Sequence, residues 1–301
     1  MNTLTFPWPR LLPLLALCFS LPVLFNACGK KRALQESPPL LVILSDYGNR
    51  DAYLARIKGD LLSLHPRLQL VDLSQDISFS SLAEAGYLVD KAARSFPPGT
   101  IFLGIMDPGL DPVSPPILIH TRENRYLIGP DNGLFTHLVD RELVQSAHSL
   151  NLEPSNPIPL QGNPMPQGKN PYVLAVDLLL RNTDPDQLGV KLKQINRLKL
   201  PSATSLGNKT TGQVLHVGRY GNIITNIRPD MIPEQAQGKL LKISFKTRTI
   251  SAPFLNKAQD YPSDRIFCRI NADGEFEMLS RVGSAAAQLG IKSGETLSIQ
   301  H

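Results

Sequence analysis

The sequence of 301 residues is 42% hydrophobic, 19% charged and 6% aromatic, with 21 Gly and 26 Pro, which excludes a fibrous repeat, a mostly disordered chain and a polytopic membrane protein. Lys and Arg number 31 against 26 Asp and Glu, a net charge of +5, too small and too evenly spread to mark a nucleic-acid footprint. Cys18, Cys28 and Cys268 cannot make a disulfide framework, and the length is that of one or two domains.

The amino terminus reads as an address. Arg10 precedes an apolar run from Leu11 to Phe25, broken by Pro13 and Pro22, and no acid appears before Glu36. That is the layout of a secretory signal, too short and proline-interrupted for a good spanning helix. Ala27 and Cys28, followed by polar GKKRALQESPP, resemble a bacterial lipobox in which Cys28 becomes the lipidated first residue. Phe25 and Asn26 fit that box loosely, and an ordinary signal peptide or an uncleaved anchor are the other readings. The expectation is a signal over residues 1–27, a tether over 28–39, export, and a membrane anchor on Cys28 facing the periplasm or cell surface.

LLVILSDYG is a short apolar run ending in a polar turn, as expected of a buried strand. Residues 51–64 place Tyr53, Ile57 and Leu61 on one helical face with Leu54 alongside. LQLVDLS is a second buried strand. Residues 81–95 predict a helix in which Ser81 caps and Glu84 completes a capping box. IFLGIMDPG is a third strand, and ILIHT with YLIGPDNG form a hairpin-like pair. This alternation predicts an α/β domain with a mainly parallel sheet over residues 40–190. Residues 191–212 are polar and read as a linker. Beyond them QVLHV, NIITNI, LLKISF, RTISAPF, RIFCRI, FEMLS and TLSIQ predict a smaller, mainly antiparallel, barrel-like β domain over 213–301, with one helix signal at SAAAQLG. Cys268 lies mid-strand, where a buried inert thiol is expected.

Three acids end apolar runs: Asp46 in LSDYG, Asp107 in IMDPG and Asp131 in GPDNG. A carboxylate at the carboxyl end of a parallel strand is placed for ligand contact. Asp beside Gly or Pro is also ordinary turn chemistry. Gly109, Gly129 and Gly133 either let a ligand approach the backbone or serve the turns. There is no Walker-type phosphate loop and no dinucleotide fingerprint. The histidines at 65, 120, 137, 148, 216 and 301 show no ligand spacing, so no metal site is expected.

SDYGNRDAYLARIKGDLLSLHP, VDLSQDI, FPPGTIFLGIMDPG, GPDNGLF, YGNIITNI and the late GSAAAQLG, in that order, resemble the S-adenosylmethionine hydroxide adenosyltransferases, relatives of fluorinases and chlorinases, over roughly residues 40–300. The resemblance implies an α/β domain followed by a β domain, and a homotrimer with sites between the amino-terminal domain of one subunit and the carboxyl-terminal domain of its neighbour. It implies hydrolysis of S-adenosylmethionine, a substrate rather than a cofactor, to adenosine and L-methionine. Asp46 then stands where the family holds the ribose, Asn222 at the adenine contact, Arg281 and Val282 along the base, and Asp131 and Asn132 in the turn near the site.

The family's water-activating trio maps less completely. Its carboxylate falls on Asp107, but Ser114 stands at its arginine position and Gln167 at its histidine position. Neither replacement carries the positive charge that lowers a water's pKa, and Gln takes no proton at neutral pH. The acid that often precedes YGN is replaced by Gly218. Weak hydrolysis is therefore expected. The alternative is a non-catalytic lipoprotein that binds adenosine or a similar nucleoside. Halogenation is disfavoured, because Gly168 occupies the position where a fluorinase presents a serine. The partners expected are a small nucleoside substrate or ligand, the membrane and two further copies of the chain, with no nucleic acid.

Overall fold

The structure, a computed structural model, describes residues 38–78, 80–106, 114–150, 170–257, 260–263 and 265–301. Pro38 to His301 form one compact unit. Its first half contains β1 (Leu40–Ser45), α1 (Tyr53–Leu64), β2 (Gln69–Ser74), α2 (Leu82–Ala93), β3 (Ile101–Ile105), β4 (Pro116–Thr121), β5 (Tyr126–Pro130), α3 (Thr136–Asp140), β6 (Val144–Leu150), α4 (Pro171–Leu180), α5 (Pro185–Leu188) and β7 (Gly189–Lys191).

These strands form a seven-stranded sheet in the order β2-β1-β3-β5-β4-β6-β7. The β2, β1, β3 and β5 neighbours are parallel, while β4, β6 and β7 join antiparallel. Side chains alternate across the pleat. Leu41 and Ile43 of β1 pack on one face against Leu54, Ile57 and Leu61 of α1 and the apolar run of α4. Val42 and Leu44 pack on the other face with Ala85 and Val89 of α2 and Leu134, Phe135 and Leu138 around α3. Helices thus cover both faces, as predicted for an α/β sheet.

Three local expectations are corrected. Tyr53 is 63% exposed; the buried stripe of α1 is Leu54, Ile57 and Leu61, whose spacing fits a helix face without Tyr53. Strand β2 is not buried, because it ends the sheet order and has only β1 as a neighbour. Ser81 makes no side-chain cap bond. Its intended partner Glu84 instead lies 2.6 Å from His216 Nδ1, a part-buried contact that outcompetes a solvent-exposed capping box.

The second half contains β8 (Thr204–Leu206), β9 (Lys209–Val217), β10 (Ile223–Thr225), β11 (Leu240–Phe245), β12 (Arg248–Pro253), β13 (Ile266–Ile270), β14 (Phe276–Ser280), α6 (Ala285–Leu289) and β15 (Thr296–Gln300). All seven predicted β runs are strands. The stretch 191–212, which the sequence predicts as a linker, carries β8 and the start of β9. The ladder runs β12-β11-β15-β9-β10-β14-β13, with β8 beside β9, and every neighbouring pair is antiparallel. A bridge from Phe254 to Cys268 and the Leu255 N–H donating to the Cys268 carbonyl at 2.8 Å bring the two ends together, so the sheet is nearly a barrel. Its core includes Val214, Ile223, Leu241, Phe276 and Leu297. Cys268 is fully buried, and burial pushes its thiol far above the ordinary range. Helix α6 is capped by Ser284 Oγ accepting from the Ala287 N–H at 3.0 Å and ended by Gly290 in the left-handed region.

Helix α2 joins the two halves through polar contacts. Besides Glu84 and His216, Tyr87 Oη donates to Glu275 Oε2 at 3.1 Å, and Lys91 Nζ lies 2.9 Å from Glu275 and 3.0 Å from Asp273. Burial and Glu275 push the Tyr87 phenol far up. Burial holds His137, which faces Tyr87 edge-on, below its ordinary value of 6.5.

Two outcomes follow from this junction. A Cβ at Gly86 would overlap the Leu134 carbonyl oxygen, a backbone atom, so Gly86→Ala lowers stability by about 2 kcal/mol in urea unfolding. The lowered His137 value means the unfolded chain binds the proton more tightly. Its contribution is complete above pH 6.5 and shrinks as the pH falls through that value, with a slope of at most ~1.4 kcal/mol per pH unit. Between pH 7 and 5, the His137→Gln variant therefore shows a shallower fall in the urea midpoint than the unsubstituted chain.

Candidate functional site

Parallel pairing of β1, β3 and β5 brings their carboxyl ends to one edge of the sheet. Asp46 is the first residue beyond β1, and its N–H donates to the Ile105 carbonyl at the end of β3, at 3.3 Å. The turn that carries Asp46 is held from below by Gln75, which is only 6% exposed. Ser45 Oγ donates to Gln75 Oε1. Gln75 Nε2 donates to the Ile43 carbonyl and to Asp72 Oδ1, each at 3.1 Å, and the Gln75 carbonyl accepts from the Gly48 N–H at 2.8 Å. Gly48 sits at φ +64°, where a side chain would strain the turn. The Gln75 network is a feature that the sequence carried only as one polar residue inside VDLSQDI.

Asp107, two residues past β3, lies outside the described residues, as do Gln167 and Cys28. Ser114 is described and half-buried, and it precedes Pro115, whose carbonyl accepts the Asp131 N–H at 2.9 Å. Ser114 therefore belongs to the same edge as Asp46 and Asp131. Its short neutral side chain brings no charge to that edge.

Asp131 and Asn132 are both engaged in tying the turn together. Asp131 Oδ1 accepts from the Asn196 N–H at 2.9 Å, and the Asn196 amide donates to the Asp131 carbonyl at 2.8 Å. Asn132 Nδ2 donates to the Met106 carbonyl at 2.7 Å while its Oδ1 accepts from the Leu134 N–H at 3.2 Å. Asn132 thus clamps the exit of β5 to that of β3. The glycines here serve packing: a Cβ at Gly129 would meet the Gly104 carbonyl and the Phe135 ring, and one at Gly133 would meet Leu198. Gly109 lies outside the described residues.

The other predicted residues gather on the second sheet. Asn222 precedes β10, and Arg281 and Val282 follow β14, which pairs with β10. Asn222 Nδ2 donates to Glu277 Oε1 at 2.6 Å, and Glu277, 4% exposed, accepts from Arg269 Nε at 2.7 Å. The chain Asn222–Glu277–Arg269 therefore fixes which way the amide points, and leaves the Asn222 oxygen as an acceptor. A Cβ at Gly218 would overlap the Asn222 amide, so this position, two residues before YGN, has no room for an acid unless Asn222 moves. Arg281 and Val282 are exposed, and the Val282 carbonyl accepts from Gln288 Nε2 at 2.7 Å.

Within one chain, these two clusters sit on different sheets. The β13–β14 hairpin turn, with Asp273 and Glu275, docks on α2, whereas Arg281 follows the opposite end of β14. Asn222 lies beside the end of β9, two residues from Ile224, whose ladder partner is the His216 that meets Glu84 of α2. A cleft of about 400 Å³ at the junction itself is lined by Glu84, His137, Asp140, Gln213 and Asn226 among others, and none of the described predicted site residues contributes to it. Among the described residues, no three His, Cys, Asp or Glu side chains gather to hold a metal ion.

Residues 41–189 match the family model for the SAM hydroxide adenosyltransferase N-terminal domain, and residues 212–298 match that for the C-terminal domain. The chain is similar to an (R)-S-adenosyl-L-methionine hydrolase of Methanocaldococcus jannaschii, 24% identical over 84% of this chain and 92% of the relative. It is similar to one of Thermus thermophilus, 27% identical over 83% and 95%, and to a fluorinase of an Actinoplanes species, 24% identical over 87% and 97%. In fold it resembles an uncharacterized conserved protein of Thermotoga maritima, with a TM-score of 0.76 at 20% identity, covering 87% of this chain and all of that one.

The buried carboxylate beneath Asn222 makes a testable unit. Arg269→Leu leaves Glu277 without its cation and lowers stability by about 3 kcal/mol. Adding Glu277→Gln to that variant recovers a large part of the loss, a coupling read in a double-mutant cycle by urea unfolding.

Proposed function

The chain belongs to the SAM hydroxide adenosyltransferase family, and from that premise we propose that it transfers the adenosyl group of S-adenosylmethionine to water, releasing adenosine and L-methionine. The carrying observation is the placement of Asp46 at the β1 exit, braced by Gln75, in a chain that matches both family models. One carboxylate there accepts hydrogen bonds from two adjacent ribose hydroxyls, and the Asn222 amide, oriented by Glu277, meets the adenine edge. Asp131 and Asn132 hold the turn at the first cluster, and Arg281 and Val282 border the base at the second. Because the clusters lie on different sheets, we assign a complete site to two protomers of a homotrimer.

The sulfonium is already a good leaving group, so the protein's task is to align a water with C5′ and take its proton. The C5′–S bond breaks as the C5′–O bond forms, the thioether leaves as methionine, and Asp107 is the group assigned to receive the proton. Without positive charge at Ser114 and Gln167 the water is poorly activated, and turnover is slow. No cofactor or metal takes part in this scheme. The chain itself is proposed to comprise a signal over 1–27, a tether over 28–39, and domains over 40–190 and 213–301 joined by 191–212. Export and a lipid on Cys28 place it on the periplasmic or cell-surface side of a membrane.

A second reading is favoured by that same amino terminus. S-adenosylmethionine is made inside cells, and an exported member meets little of it, so retention of the nucleoside pocket without turnover gives a ligand-binding lipoprotein. Halogenation stands third, on the strength of the fluorinase relatives alone.

Incubation with the (R) and (S) sulfonium epimers, the former chosen because relatives are named for it, decides among these. Adenosine and methionine are expected at a low rate, abolished by Asp107→Ala. Ser114→Arg combined with Gln167→His is expected to raise the rate by ~10² or more, the usual worth of general-base help. Calorimetric binding without product supports the second reading, and a halo-adenosine formed in the presence of halide supports the third. Neither binding nor turnover overturns all of them.

A further inference from the structure

We propose that the amino edge of the first sheet, the edge opposite Asp46, is a docking surface for an anionic lipid bilayer. Parallel pairing gives the sheet two unlike edges. At the carboxyl edge the described charged residues include Asp46, Asp51, Asp76 and Asp131, with Arg50 as the counterweight. At the amino edge Arg67, Arg94, Arg122 and Arg141 lie in loops and Lys191 and Lys193 at and beyond the end of β7, against the acids Glu123 and Glu142. Chain direction therefore separates the charge.

Some of these cations have local explanations. Arg67, Arg94 and Arg141 follow the carboxyl ends of α1, α2 and α3, where positive charge complements the helix dipole, and Arg94 and Arg141 share the buried carboxylate of Asp90. Arg122, Lys191 and Lys193 do not follow a helix. Arg122 belongs to the β4–β5 turn, and Lys191 and Lys193 lie at and beyond the end of β7. All three are exposed, and none has a carboxylate partner among the described residues. They line one cleft of about 650 Å³ together with Arg197, and Glu142 is the acid they share it with. Arg197 is drawn off by Asp140 at 3.5 Å. The cleft is left with an excess of positive charge.

The same edge is where the described chain begins. The Pro39 carbonyl accepts from the Gln69 N–H at 2.9 Å at the start of β2, so Pro38 and Pro39 lie at the amino edge. The ten residues from 28 to 37 include Lys30, Lys31 and Arg32 and reach at most ~35 Å when extended. A lipid on Cys28 would keep the folded part within that distance of the bilayer, close enough for the basic cleft to meet it. Each exposed Lys or Arg near an anionic surface contributes about 1 kcal/mol, or roughly fivefold in partitioning.

The biological direction of this inference rests on the export and anchoring proposed above, but the surface is tested without them. Residues 38–301, which contain both cores, are mixed with vesicles of phosphatidylcholine alone or of phosphatidylcholine and phosphatidylglycerol in equal parts, and floated. Binding is expected only to the anionic vesicles, and it is expected to be lost between about 0.1 M and about 1 M salt as the Debye length shortens from ~10 to ~3 Å. Arg122→Glu, Lys191→Glu and Lys193→Glu together are expected to reduce that binding about a hundredfold or more, with the urea midpoint unchanged. Three results overturn the proposal: equal partitioning to both vesicle types, undiminished binding by the triple variant, or equally tight, salt-sensitive binding to duplex DNA, which would mark a generic polyanion face. The lipid anchor is read separately, from the mass of the full chain and of its Cys28→Ser variant extracted from membranes, so failure of one idea leaves the other standing.

Discussion

The parallel register of β1, β3 and β5 is the constraint on which the rest of the molecule depends. Leu41 pairs with Ile101 and Ile101 with Tyr126, so each strand enters at one edge and leaves at the other. Turns such as those around Asp46 and Asp131 then share a rim without any contact having to be designed between them. Helices must carry the chain back across the faces, which is why both faces are apolar and covered. The rim is further consolidated by two carboxamides: Gln75 under one turn, bonded to backbone and side chains, and Asn132 across two exits, bonded to backbone at both ends of its amide. A buried amide such as Gln75 stabilises only when its polar atoms are bonded, so both carboxamides hold their turns in one geometry.

The junction on α2 is built on a different principle. It relies on Glu84, Tyr87 and Lys91 meeting His216, Glu275 and Asp273, with little aliphatic surface among those partners. Such a junction is specific in register and sensitive to ionisation. On its other contacts α2 lies close to the Leu134 backbone of the first half, where Gly86 leaves the room that an alanine Cβ would take.

Sequence alone made the strand exits and the β runs legible because both depend on short-range patterns: an apolar run closed by Asp-Gly or Asp-Pro, or alternation over five residues. It did not reveal β6, whose VQSAHSL is nearly polar and is buried by β4 and β7 on either side. Nor did it assign α4, where PYVLAVDLLL is apolar on every side and so lacks a period; the Asn170 cap and Pro171 were the available signals. Tyr53 was misread because the stripe of Leu54, Ile57 and Leu61 is complete without it, and Ser81 because Glu84 is taken by His216, remote in sequence. At the site, the turns were visible but not the partners of Asp131, since Asn196 lies in a stretch with no period of its own.

The near-barrel of the second half has a consequence for how this chain meets its own copies. Because Phe254 and Leu255 turn the end of β12 back onto β13, the second sheet ends on itself and presents little unpaired backbone ladder. The first sheet stops at β7, three residues long, and at β2, where Asp72 is drawn into Lys58 at 2.7 Å. Growth by strand addition has few places to start. Any association between copies then falls to side chains and loops, a vocabulary that can be changed one residue at a time without disturbing either sheet.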